Sequence, residues 1–133
     1  MLFLYKGDEK MKTLKIKEFI NNLSRRTLRW TRDLSDLSYE EMQKIRKENV
    51  NNMLIDVRNP NEYNEGHLDG AINIPNYEIE KKIDIIVPNK KDIIILYCQS
   101  GNRSKRAQKE LQQIGYENVY SLAGGIGSIR RAK

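Results

Sequence analysis

The sequence predicts an α/β domain with a largely parallel β-sheet, preceded by a basic, helical N-terminal extension. Three observations support this prediction. From about residue 36 onward, short apolar runs typical of strands alternate with segments of helical pattern. Residues 93–97 are apolar without alternation, which indicates a strand covered on both faces, as in parallel sheets. The length of 133 residues allows little more than one ordinary domain.

Residues 1–35 form the extension, which carries most of the excess positive charge. They hold nine Lys or Arg and four Asp or Glu, whereas residues 36–133 hold fifteen and fourteen. Apolar residues at helical spacing predict an amphipathic helix over residues 13–30. These residues are Ile16, Phe19, Ile20, Leu23 and Trp30. The helix either docks its apolar stripe on the domain or on a second copy, which we favour, or binds an anionic protein or lipid surface.

The first half of the domain contains two helix-start signals. Ser38 and Glu41 have the spacing of a capping box. Pro60, in the turn after an apolar run, is typical of the first position of a helix. The predicted elements are a helix over 39–48, a buried strand over 53–57, a short helix over 60–64 and a brief strand over 71–75.

The second half continues the alternation. Gly115 is placed to end a helix as its C′ residue, and the pair at 124–125 opens a short last helix. The predicted elements are a helix over 77–86, strands over 93–97 and 118–122, and between these strands a helix over 103–114.

Composition excludes several classes of protein. A single Cys and a single His exclude a disulfide framework and any metal site that needs three or four such ligands from one chain. No apolar run approaches the roughly 20 residues that a membrane helix needs. We therefore expect a cytoplasmic protein without a transmembrane segment, whose free thiol stays functional in a reducing compartment. We expect no metal and no cofactor. We also expect no nucleic-acid partner, because the basic charge belongs to the extension.

Cys98 is the strongest candidate for chemistry. It follows the predicted strand 93–97, and ligand sites in parallel sheets lie at the carboxyl ends of the strands. The short loop after it can point backbone N–H groups at the sulfur, with Gly101 relieving the steric cost of a positive φ. The next helix N-terminus adds partial positive charge and Arg103 adds a full one, so the thiolate is favoured without a histidine base.

The alternative interpretation is a structural cysteine packed as a small hydrophobe. It accounts for the apolar strand before Cys98. It does not account for the polar stretch over residues 99–104 directly after the thiol.

Three segments resemble one known family. Residues 98–104, CQSGNRS, resemble the active-site loop of single-domain rhodaneses. Residues 56–58 (DVR), 62–63 (EY) and 66–75 (GHLDGAINIP) together resemble the family's second signature. Residues 122–126 (LAGGI) resemble its closing motif.

The resemblance covers about residues 36–131, with the segments in family order. One departure lies near the C-terminus. The closing motif usually continues to a tryptophan three residues after the isoleucine, whereas here Ile129 occupies that position. We therefore expect different packing at the C-terminus.

The resemblance implies a rhodanese-like domain over residues 36–133, with a five-stranded, largely parallel sheet and helices on both faces. It also implies a ping-pong reaction. Cys98 attacks the sulfane sulfur of a small anionic donor, either thiosulfate or a polysulfide or persulfide, and passes it as a persulfide to a thiol, a protein acceptor or cyanide. Arg103 is expected to bind the donor and steady the charged intermediate. The other residues of the active-site loop are Gln99, Ser100, Gly101, Asn102 and Ser104.

His67, the only histidine, resembles a residue that fixes the loop before Ala71 by hydrogen bonding, and we favour this role over that of a base. Asp56 and Arg58 are likewise interpreted as structural. They place a carboxylate at a strand end and a guanidinium within reach of Glu62, which would fix the adjacent turn.

Two other functions compete with sulfur transfer. Some proteins of this fold are phosphatases, whose loop has five residues between Cys and Arg; here Cys98 and Arg103 are separated by four, which favours sulfur. Other rhodanese-like domains are non-enzymatic interaction or regulatory modules, which usually lack the cysteine.

Overall fold

Five parallel strands form one sheet in the computed structural model. The model describes residues 35–132, so the predicted helix over 13–30 lies outside the described residues. The strand bounds are Asp36–Leu37 (β1), Asn52–Asp56 (β2), Ile72–Asn73 (β3), Ile93–Tyr97 (β4) and Asn118–Leu122 (β5). The strand order is β1-β5-β4-β2-β3 and every pairing is parallel, which confirms the predicted fold class.

Five helices join the strands within residues 35–132. Their bounds are Tyr39–Glu48 (α1), Pro60–Asn64 (α2), Ile79–Ile86 (α3), Asn102–Gln113 (α4) and Gly125–Ala132 (α5). Local start signals explain two of them, because capping boxes pair Ser38 with Glu41 before α1 and Asn59 with Glu62 before α2. None of these five helices is long and apolar enough to cross a membrane.

Apolar layers cover both faces of the sheet. Along β4, Ile95 and Tyr97 contribute to one layer, whereas Leu96 and the adjoining Cys98 contribute to the other. Helices α1 and α5 supply side chains to the first layer, and α3 and α4 to the second. The unbroken apolar run of β4 therefore reflects burial on both sides, as the sequence predicts.

β1 is the strand that the residue pattern did not locate. It is two residues long and is defined by its partner, since Ser121 N–H donates to the carbonyl of Ser35 at 2.9 Å and Ala123 N–H to that of Leu37 at 2.7 Å. A two-residue strand has no periodicity to recognise. Its register with β5 nevertheless places the start of the described chain beside the closing motif.

Candidate active site

The candidate site lies at the carboxyl edge of the sheet, where three strands end side by side. Asp56 at the end of β2 pairs with Tyr97 at the end of β4, and Ser121 of β5 pairs with Leu96. Cys98 directly follows β4. This register brings the loop of residues 98–104 close to Asp56 and Ser121. These residues lie between 17 and 42 positions from the loop residues beside them.

Backbone amides surround the sulfur of Cys98. The N–H of Gly101 donates to Sγ at 3.1 Å and that of Ser104 at 3.4 Å. Gly101 has a φ of +105° and stands as the N-cap of α4, so the loop turns in a conformation that glycine adopts at low cost. These amides form the cradle that the sequence analysis expects around the sulfur.

The cradle changes the acidity of the thiol. Only 1% of Cys98 is exposed, and this burial, the largest single influence, raises its pKa. The hydrogen bonds that link the sulfur to the amide and hydroxyl of Ser104, and those from the amides of Gly101 and Ser100, together outweigh burial. The pKa of Cys98 therefore lies below that of an ordinary cysteine, although the residue is part of an apolar layer.

A chain of two buried hydroxyls lies beside the thiol. Ser104 Oγ is 3.7 Å from Cys98 Sγ and 2.8 Å from Ser121 Oγ, and both serines are fully buried. Ser104 also donates to the carbonyl of Gly101 at 3.1 Å. Sequence reasoning missed Ser121. The available signal was a hydroxyl inside an apolar strand, one residue before the closing motif.

The closing motif holds the loop from outside. At the start of α5, the N–H of Ile126 donates to the carbonyl of Cys98 at 2.9 Å, and that of Gly127 to the carbonyl of Gln99 at 3.0 Å. A Cβ at Gly125 would collide with both of these carbonyl oxygens. The loop carbonyls are thus bound to α5 while the amides of Gly101 and Ser104 point at the sulfur.

Arg103 is bound to a carboxylate at the edge of the loop. Its Nη1 and Nη2 donate to Oε1 and Oε2 of Glu62 at 2.8 and 3.1 Å, and both side chains are about 30% exposed. These bonds lower the pKa of Glu62 and raise that of Arg103. The residue pattern does not indicate this partner, 41 residues away. The charge that Arg103 brings to the loop is largely balanced.

Arg58 forms its ion pair with Asp56 and not with Glu62, the partner expected from the sequence. Its Nη2 donates to Asp56 Oδ2 and to the carbonyl of Gly66, both at 2.7 Å, and Asp56 and Arg58 are both buried. Glu62 influences Arg58 through its charge, but its carboxylate accepts hydrogen bonds from Arg103 and from the N–H of Asn59. The buried pair joins the end of β2 to the loop after α2, in agreement with the structural role expected for both residues.

His67 contacts the segment that contains Tyr63. Its Nδ1 is 2.9 Å from the carbonyl of Tyr63, and the two rings stack with centroids 3.7 Å apart. The hydrogen bond to the carbonyl of Ala71 comes from the hydroxyl of Tyr63, at 2.6 Å. His67 thus supports the loop before Ala71 through Tyr63.

The remaining loop residues lie at the surface. Gln99, Ser100 and Asn102 are exposed, although they belong to the same loop as the buried sulfur. Within residues 35–132, no group of three or more His, Cys, Asp or Glu side chains is arranged to hold a metal ion. Cys98 supplies an acidified thiol among amide donors.

Comparison with known proteins identifies relatives that are named sulfurtransferases. The sequence model of the rhodanese-like domain matches residues 38–132. Thiosulfate sulfurtransferase PspE of Escherichia coli (strain K12) is 42% identical over 79 residues, which cover 59% of this chain and 75% of that protein. Thiosulfate:glutathione sulfurtransferase of Saccharomyces cerevisiae is 34% identical over 106 residues, which cover 71% of this chain and 76% of that protein.

Solved structures and larger enzymes share the same domain. A structure described as rhodanese with anions from E. coli has a TM-score of 0.53 and 41% identity, over 56% of this chain and 87% of that one. The tRNA uridine(34) hydroxylase of Buchnera aphidicola is 39% identical over 83 residues, which cover 59% of this chain but 27% of the hydroxylase. The domain therefore occurs both in small sulfurtransferases and as a part of longer proteins with other names.

Proposed function

The chain belongs to the rhodanese-like domain family, and from this premise we propose that it is a sulfurtransferase that carries sulfane sulfur as a persulfide on Cys98. One observation carries the proposal: the amides of Gly101 and Ser104 converge on Sγ and favour its anionic form. Such donors, fixed before the reaction, stabilise a charged sulfur without reorganisation. A cytoplasmic, reducing location would keep the thiol free.

The first half-reaction loads the cysteine. The thiolate of Cys98 attacks the outer sulfur of thiosulfate, a new S–S bond forms, and the donor S–S bond breaks. The electron pair of that bond leaves with sulfite. A polysulfide or persulfide donor reacts in the same way and releases the shortened sulfide. No net oxidant or reductant is required in either case.

The second half-reaction unloads it. An acceptor thiolate attacks the terminal sulfur of the persulfide, forms an S–S bond to it and releases the Cys98 thiolate to the cradle. The acceptor leaves as a persulfide; with cyanide it would leave as thiocyanate. Since the chain contains one cysteine, the sulfur must continue on another molecule. The name of the yeast relative, thiosulfate:glutathione sulfurtransferase, supports a thiol as the acceptor.

The size of the loop supports sulfur over phosphate as the transferred group. Four residues separate Cys98 from Arg103, and the amides of Gly101 and Ser104 already lie within 3.4 Å of Sγ. A phosphoryl group has three free oxygens and needs a wider cradle. The guanidinium that would bind those oxygens donates both of its Nη groups to Glu62.

Intact mass after treatment with thiosulfate tests the proposal. The wild-type protein should gain about 32 Da, one sulfur atom, and lose it on addition of dithiothreitol. Cys98→Ser is the matched control and should gain nothing. An unchanged wild-type mass with thiosulfate and with polysulfide alike would refute the persulfide mechanism.

A further inference from the structure

The ion pair between Glu62 and Arg103 is the unusual electrostatic feature of this site. A loop that receives anions would be expected to present an unpaired cation, yet both Nη groups of Arg103 donate to one carboxylate. Glu62 is itself held in place, because the N–H of Asn59 donates to its Oε1 at 3.2 Å in the capping box of α2. The carboxylate therefore belongs to a fixed element.

The pair lies close enough to the sulfur to influence a bound anion. Arg103 directly precedes Ser104, whose N–H donates to Sγ at 3.4 Å, and the charge on Cys98 contributes to raising the pKa of Arg103. A cation alone would attract a dianion twice as strongly as a monoanion. With Glu62 at 2.8 Å from Arg103, the summed charge of the pair is near zero and most of this attraction is lost.

We propose that Glu62 is a specificity-determining residue that weakens the binding of doubly charged sulfur donors and so favours donors of lower charge. The inference rests on the proposed function, since it concerns donors for Cys98. Thiosulfate, a dianion, would then be a poorer donor than its charge suggests. Monoanionic persulfides and thiosulfonates would be favoured relative to it.

Anion binding tests the inference independently of turnover. Alkylation of Cys98 by uncharged iodoacetamide is measured with increasing sulfate, a dianion, or methanesulfonate, a monoanion, at constant ionic strength. In Glu62→Gln, sulfate should protect Cys98 at an about fivefold lower concentration, and methanesulfonate at an about twofold lower one, because the Coulombic free energy scales with charge. Protection is expressed relative to the anion-free rate of each variant, which corrects for any change in the acidity of the thiol.

Two features of the experiment distinguish the effect of the charge of Glu62 from an effect of a disrupted α2. Glutamine keeps an acceptor oxygen for the N–H of Asn59, so α2 can keep its start. Glu65→Gln is the matched control, because it makes the same change in net charge from an exposed position at the end of the same helix. An unchanged affinity for sulfate in Glu62→Gln, or an equal gain in Glu65→Gln, would overturn the inference.

Turnover distinguishes failure of the inference from failure of the proposed function. The second measurement is kcat/KM with thiosulfate and with methanethiosulfonate, which replaces one oxyanion of thiosulfate by a methyl group. In Glu62→Gln the ratio of thiosulfate to methanethiosulfonate should rise about two- to threefold. Wild-type protein that turns over both donors, with the same ratio in the variant, overturns the inference alone. Protein that shows the anion effect but forms no persulfide refutes the sulfurtransferase and leaves the role of Glu62 in anion selection intact.

Discussion

Ser121 is linked to the thiol through another side chain. Its hydroxyl lies 2.8 Å from that of Ser104, which in turn lies 3.7 Å from Sγ of Cys98. When the sulfur is ionised, Ser104 can direct its proton to the sulfur only if it gives up its bond to the carbonyl of Gly101. A proton donated by Ser121 then stabilises the hydroxyl oxygen of Ser104 in that arrangement.

Ser121→Ala should therefore raise the pKa of Cys98. Loss of one hydrogen bond from the buried chain favours the neutral thiol, so the pH midpoint of alkylation by iodoacetamide should move upward. At pH 7 the rate of alkylation should fall about threefold. Thiolate absorbance near 240 nm, followed across the same pH range, provides a second measurement.

Val119→Ala is the control for this substitution. Val119 lies two residues earlier on β5 and in the same apolar layer as Cys98, but it contributes no hydroxyl. It should lower the melting temperature without moving the alkylation midpoint. Equal midpoints for wild type and Ser121→Ala would show that the second hydroxyl has no part in ionising the thiol.

At the scale of elements, the start of α5 and the loop after β4 work as one unit. The loop carbonyls of Cys98 and Gln99 accept hydrogen bonds from Ile126 and Gly127, which leaves the opposite side of the loop to present amides. Gly125 allows this approach because it has no Cβ. The glycine pair of the closing motif thus supports the geometry of a site more than 20 residues before it.

Gly125→Ala should disrupt both stability and chemistry. The new methyl group would push α5 away from the loop. The alanine would also have to adopt a φ of +65°, and we expect a cost of about 1–3 kcal/mol in the free energy of unfolding. We expect a raised pKa of Cys98 and slower persulfide formation, measured by alkylation and by intact mass. Gly115→Ala is the matched control, since it has a φ of +104° but meets only the side chain of Lys90. If Gly125→Ala retained a wild-type rate of persulfide formation, α5 would not be needed to hold the loop.

Elements with local start signals were predictable, whereas contacts between elements were not. The pair of Ser38 and Glu41 places α1, and Pro60 after its turn places α2. Both signals lie within four residues of the helix start, so they can be recognised in the sequence. The thiol loop was also predictable, since Cys98 and the polar residues after it are contiguous. Two contacts in the site depend on which strands lie side by side: the one between Glu62 and Arg103 and the one between Ser104 and Ser121. The residue pattern alone does not determine that order.

At the scale of the whole molecule, β1 supports the proposed start of the domain. The sequence analysis places the boundary near Asp36, and we retain residues 36–133 as the proposed domain. The carbonyl of Ser35 accepts a hydrogen bond from Ser121 N–H, and the side chain of Leu37 is fully buried. These contacts indicate that the fold uses the chain from Ser35 onward.

Two truncations test this boundary. Removal of residues 1–34 leaves β1 and the buried side chain of Leu37 in place, so the domain should still fold and form the persulfide. Removal of residues 1–37 also takes away β1 and the buried side chain of Leu37, which should cost about 2 kcal/mol or more in the free energy of unfolding. Chemical denaturation of the three proteins measures the difference. A large loss of stability on removal of residues 1–34 would place part of the extension inside the domain.

The depth of Cys98 has a consequence for which molecules can meet it. Its anionic form makes the sulfur a strong nucleophile, yet only 1% of the residue is exposed. High intrinsic reactivity and low accessibility together make the reaction depend on the size and shape of the reagent. We expect slender reagents, which present a sulfur at the end of an unbranched stem, to reach it more readily than broad oxidants or thiols embedded in a flat protein surface. Burial thereby limits oxidative damage to a thiol that the loop makes reactive.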